Sequence, residues 1–152
     1  MLKRVAIGVV MAVLTGLGVA AADSRDAEIE ALRVAVFRHQ VAFWLDEESR
    51  ESQTVVCLAI EEGGSRRSVS REYLKHFPGE AAVQTGDACE EKASGAVERG
   101  TGRPAVVVTV GAVAWQSSDE AWVTTRHYRS AVISGIRTQR VVRERTGWVC
   151  LG

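Results

Sequence analysis

The chain of 152 residues carries a formal net charge of zero, with 19 lysines and arginines against 19 aspartates and glutamates. A balanced chain of this size has no global field to gather nucleic acid or to coat an anionic membrane. Its hydrophobic content of 46% is that of a folded globular domain, not of a disordered or repetitive chain.

The chain opens MLKRVAIGVVMAVLTGLGVAAADSRDAEIEALR. Lys3 and Arg4 form a positive n-region, Val5 to Val19 an apolar core, and Ala20-Ala21-Ala22 the small residues that a signal peptidase requires. A spanning helix needs about 20 predominantly apolar residues, whereas this run contains three glycines and then meets Asp23, Arg25 and Asp26. A cleaved leader is therefore expected in preference to a retained anchor, and no cysteine precedes Cys57 to carry a lipid. Residues 1–22 read as signal peptide and 23–152 as a single α+β domain, secreted or periplasmic, with no membrane span after cleavage. Loss of Lys3 and Arg4 leaves 17 basic residues against 19 acidic ones, so the exported chain stays near neutral.

From Ser24 to about Leu45, Ile29, Leu32, Val36, Gln40 and Phe43 recur at helical spacing, flanked by Val41 and Trp44. The spacing predicts an amphipathic helix capped by Asp23 or Ser24, with Asp26, Glu28 and Glu30 near its positive end and with Arg25, Arg33 and Arg38 largely off the apolar stripe. "TVVCLAI" (54–60), bounded by Gly63-Gly64, reads as a strand apolar on both faces. "SVSREYLKHFPG" predicts a short helix capped by Ser68, with Val69, Tyr73 and Phe77 on one side and Pro78-Gly79 as its stop. Residues 80–103 read as loop with one short strand. From Pro104 onward, β-rich runs separated by Ser117-Ser118-Asp119, Ser134-Gly135 and Thr146-Gly147 predict an antiparallel meander. In the run 120–133, Trp122, Thr124, Arg126, Tyr128, Ser130 and Val132 share one face, and Ala121, Val123, Thr125, His127, Arg129 and Ala131 the other. Neither face is wholly apolar, which predicts a long bent strand with a bulge.

The expected fold class is thus α+β: a long N-terminal helix and a short helix packed on a curved antiparallel sheet that ends in a meander of long strands. This order of elements, with the closing Arg145-Thr146-Gly147-Trp148-Val149, resembles the nuclear-transport-factor-2-like (cystatin-like cone) superfamily, whose members often finish on a glycine turn and a strand begun by tryptophan. The resemblance runs from Ser24 to Leu151. It implies a helix lying on a cone-shaped sheet. The superfamily holds isomerases, dehydratases, cyclases and many non-catalytic binding modules, so it does not by itself choose an activity. No catalytic residue of those enzymes is carried over onto this chain.

Export implies an oxidising compartment. Cys57, Cys89 and Cys150 allow three pairings, each leaving one thiol. The favoured one joins Cys89, in a glycine-rich polar stretch, to Cys150 near the chain end; Cys57 with Cys89 is the next. The absence of C-x-x-C argues against a thioredoxin-like role. His39, His76 and His127 show no metal-ligand spacing with one another, and no metal or cofactor is expected. Neither G-x-S-x-G nor S-x-x-K occurs, so nucleophilic catalysis has no anchor. Acid–base catalysis in a cone would need one buried titratable group; His127 and Tyr128, one per face, are the candidates. Trp122 and Arg126 join them as candidate ligand-binding residues. Arg126, Arg129, Arg137, Arg140, Arg143 and Arg145 crowd the last long strands against Glu144 alone, either neutralised by carboxylates from elsewhere or forming an anion- or partner-binding face. Trp44, Trp115, Trp122 and Trp148 suit a shared core, or an apolar pocket if two of them line one.

The expectation is a non-enzymatic exported domain that binds a small apolar molecule or an envelope protein partner through the open side of its sheet, without nucleic acid. The alternative is a cone-fold enzyme of isomerase or dehydratase type, acting on an apolar small molecule by proton transfer.

Overall fold

A computed structural model of the chain describes residues 17–46, 50 and 52–152, with side chains from Ala22 onward. The expected leader's Lys3, Arg4 and apolar run as far as Gly16 lie outside the described residues.

Helix α1 runs unbroken over Leu17–Trp44. Asp23 and Ser24 therefore lie inside the helix and cap nothing, and Asp26, Glu28 and Glu30 sit in its body. The buried stripe is Leu32, Arg33, Val34, Val36, Phe37, Gln40, Val41 and Trp44, a set that keeps the 3.6-residue period down one broad side. This corrects two expectations. Phe43 falls on the rim and is 54% exposed, while the wholly buried Phe37 takes its place and meets Tyr73 edge to face at 5.8 Å. Arg33 also goes inward, because its guanidinium reaches Glu62 at 2.7 Å past the edge of the packed stripe. That bond holds the Glu62 carboxyl below the usual carboxylate range.

Among the described residues nine strands follow: β1 (Val55–Glu62), β2 (Ser65–Ser68), β3 (Val83–Thr85), β4 (Cys89–Lys92), β5 (Gly95–Glu98), β6 (Ala105–Trp115), β7 (Glu120–Tyr128), β8 (Ser134–Glu144) and β9 (Gly147–Cys150). The main sheet has the order β2-β1-β6-β7-β8-β9, with β3 beside β1; β4 and β5 form a separate hairpin. The meander β6-β7-β8-β9 is antiparallel as expected. The sheet as a whole is mixed, because β1 runs parallel to both β6 and β3. A strand apolar on both faces, such as β1, belongs in that setting.

The expected short helix is only a 3-10 turn over Glu72–His76. Ser68 ends β2 and its hydroxyl donates to Asp87, while Ser70 accepts from the Tyr73 N–H. The stripe Val69, Tyr73 and Phe77 is nonetheless buried under α1. The bulge lies one strand earlier than expected. Register slips on β6 between Val110 and Val113, so Val106, Val108 and Val110 before it, and Val113 and Trp115 after it, all pack against the helix-side core. Two residues opposing one across the ladder reverse the alternation at Gly111-Ala112. Strand β7 needs no such device: Ala121, Val123 and Thr125 are buried on the helix side, and the strand stops at Tyr128 instead of reaching Ile133.

Candidate functional site

The helix side of the sheet is closed. Leu32, Phe37, Leu58, Ile60, Val108, Val123 and Val141 fill the space between α1 and the strands, so that side of the sheet is core. Chemistry or binding has to be sought on the far face.

One half of that face is covered. Cys57 points from β1 away from the helix and is bonded to Cys89 at the start of β4. Val55, Cys57, Ala105 and Val107 of the sheet pack there with Cys89 and Ala96 of the hairpin. Two more ties hold the hairpin down: Tyr128 donates its hydroxyl proton to the Lys92 carbonyl at 2.6 Å, and the Ala96 N–H donates to the Arg129 carbonyl at 2.8 Å. The disulfide therefore differs from the favoured pairing of Cys89 with Cys150. Cys150 lies on β9, four strands away from β1 in the sheet order, which at ~4.8 Å per strand is far beyond disulfide reach. Its free thiol donates to Gln139 Oε1 at 3.4 Å, and burial pushes its pKa up. The signal for the true pairing was present in "VVCLAI". A strand apolar on both sides needs a second cover, and Cys57 alternates with Val56 and Leu58, which face the helix.

The other half of the far face is open. Trp122, Thr124 and Arg126 of β7 lie beside Ile136, Thr138 and Arg140 of β8; Trp122 is 37% and Ile136 60% exposed. Arg126 reaches Glu61 at 3.4 Å, and Arg140 grips Glu120 through both nitrogens of its fork at 2.8 and 3.2 Å. Arg143, on the helix side, is bonded to Glu28 and lies 3.4 Å from Asp119. Three of the six clustered arginines are thus neutralised by carboxylates from elsewhere in the fold, and Arg129, Arg137 and Arg145 have no ion pair among the described residues. Between the hairpin and β8 runs an open groove of about 310 Å³, lined by Arg66, Glu91, Thr109, Arg126, Tyr128 and Ile136 among others.

Of the four candidate ligand residues, the structure brings Trp122, Arg126 and Tyr128 to this one face. His127 goes to the other. Its ring lies 5.2 Å from that of Trp44 and above Gly135, where a Cβ would come within 3.2 Å of Cε1. Burial, and then the charge of Arg137, lower its pKa, so it is neutral at neutral pH. It has no hydrogen-bond partner among the described residues. Among those residues no three His, Cys, Asp or Glu side chains converge as metal ligands, and no helix is long and apolar enough to cross a membrane.

Compared with protein-family models, curated proteins and solved structures, the chain matches none.

Proposed function

We propose that the chain is an exported, non-enzymatic binding domain whose working surface is the uncovered half of the far sheet face. The observation that carries this reading is the pairing of an exposed Trp122 and Ile136 with arginines already bonded to carboxylates, on a rigid sheet whose opposite side is packed. Aromatic and aliphatic anchors set among fixed charges are what protein interfaces use. The face and its groove are open to solvent, which favours a macromolecular partner over an enclosed small molecule. The enzymatic alternative has less support: the Tyr128 proton is committed to a backbone carbonyl and the His127 ring packs at a tilt against Trp44. Export is supported by the leader-like opening and by the buried intramolecular disulfide. The helix-on-sheet order and the Gly147-Trp148 ending support membership of the cone superfamily as part of the same proposal.

The test is photocrosslinking in the native exporting cell from position 122, with position 75, at the exposed 3-10 turn, as control. Adducts from 122 that are absent from 75 support the reading. Equal adducts from both, or none from 122, overturn it.

A further inference from the structure

The most unusual feature of the fold is an unfinished edge. β9 has four residues and pairs only with Val141 to Glu144 of the eleven-residue β8. The last bond on that side runs from the Leu151 N–H to the Arg140 carbonyl at 2.8 Å. Neighbouring residues in a strand send their backbone groups to opposite sides. The Arg140 carbonyl points outward, while the Arg137 carbonyl points back to β7, where it accepts from the Thr125 hydroxyl. By that alternation the N–H and C=O groups of Ser134, Ile136 and Thr138 also point outward. They have no backbone partner on that side among the described residues, and their side chains lie on the open far face.

Two further observations mark this edge as built for an occupant. Among the described residues, five of the six exposed large hydrophobic side chains bracket it: Val132 and Ile133 in the turn that leads into β8, Ile136 on it, Leu151 at its far end, and Phe43 beside Arg137. The sixth, Trp122, is on the adjacent strand. Arg137 on the edge and Arg129 at the turn are also cations without an ion pair among the described residues, unlike Arg126, Arg140 and Arg143. Proteins ordinarily blunt such an edge with proline, a bulge or a cover, and among the described residues this stretch has none of these.

We propose that the free edge of β8 takes up an extended segment of a partner protein by strand addition, the segment alternating apolar residues on the far-face side with acidic residues on the Arg137 side. Main-chain bonds to Ser134, Ile136 and Thr138 supply the docking, and alternate side chains supply the selectivity. A second copy of this chain is the weaker occupant, because pairing two such edges would bring together two sets of uncompensated arginines. The inference rests on the reading of the chain as a binding domain but concerns the edge, which is assayed separately from the face around Trp122.

The experiment is amide hydrogen exchange by NMR on the leaderless chain, alone and with soluble heptapeptides alternating valine with glutamate or valine with lysine. In the free protein the amides of Ile136 and Thr138 should exchange fast and those of Arg137 and Gln139 slowly. The glutamate peptide should protect the fast set and bind about three- to fivefold more tightly than the lysine peptide, the worth of about one exposed ion pair. Arg137→Glu should reverse that preference. Thr138→Pro should abolish protection while leaving the β7 side of the ladder intact, because the amide it removes points outward. The proposal is overturned if neither peptide protects the outward amides, or if binding is indifferent to Arg137→Glu. It is equally overturned if the outward amides are already protected in a free protein of doubled mass, since a second copy then holds the edge. Loss of crosslinking from position 122 with the exchange pattern intact would sink the far-face reading alone.

Discussion

Breaking the Cys57–Cys89 bond should loosen one half of the far face and destabilise the whole domain by an amount the structure specifies. The bond closes a loop with a sequence separation of 32. For a loop of that length the chain-entropy relation gives roughly 3.7 kcal/mol at 25 °C. Both cysteines are buried, at 0% and 5% exposure, so the reduced thiols remain as packed hydrophobes and reduction isolates the cross-link from the cavity that a cysteine-to-alanine change would open. In a domain of this size the loss corresponds to a fall in Tm of roughly 10–15 °C. The assay is urea unfolding followed by tryptophan fluorescence, oxidised against reduced, in a Cys150→Ser background that keeps the bond to Gln139 and removes the exchanging thiol. Hydrogen exchange should show Cys89 to Glu98 opening first, since their remaining ties to the sheet include the Tyr128–Lys92 and Ala96–Arg129 bonds. A loss below about 1 kcal/mol, or peptide mapping that joins Cys89 to Cys150, would refute the reasoning.

Other outcomes follow from the packing. Phe37→Ala should cost about 3–5 kcal/mol in urea unfolding, because the ring is wholly buried against Tyr73, whereas the rim residue change Phe43→Ala should stay within about 1 kcal/mol. Glu62→Gln keeps an acceptor for Arg33 but removes the charge of a half-exposed partner, and should cost about 0.5–1 kcal/mol. The depressed pKa of Glu62 places its contribution above the ordinary carboxylate range, and it should fade as pH falls through the lowered value. The folded-state pKa of His127 is also lowered, so the folded protein binds fewer protons than the unfolded chain just below pH ~6.5. Stability should fall as pH drops through that window, and an NMR titration of the ring that finds a midpoint above the ordinary histidine value would contradict its placement beside Trp44. Cys150, half-buried with its pKa raised, should resist iodoacetamide at neutral pH in the folded protein and react at the ordinary rate in urea.

Local chemistry made much of the architecture legible. The period of Leu32, Val36 and Gln40 announces one buried helix face, and the Pro104-led runs with their Ser-Asp and Thr-Gly turns announce the meander, because both patterns come from covalent geometry that operates within a few residues. The grouping of Trp122, Arg126 and Tyr128 on one face is likewise a consequence of strand alternation alone. What lay beyond local pattern was decided by partners distant in sequence. Phe37 displaced Phe43 from the core because the rim of α1 is set by where the sheet ends, and Arg33 turned inward because Glu62 waits 29 residues away. The parallel pairing of β1 with β6 places Cys57 beneath the β4–β5 hairpin and strands Cys150 at the opposite edge, a matter of strand order that no spacing of three cysteines encodes. The open half of the far face and the unpaired edge of β8 belong to the same level. Whether a surface is left uncovered depends on how far every other element reaches, and that is settled only when the chain has packed.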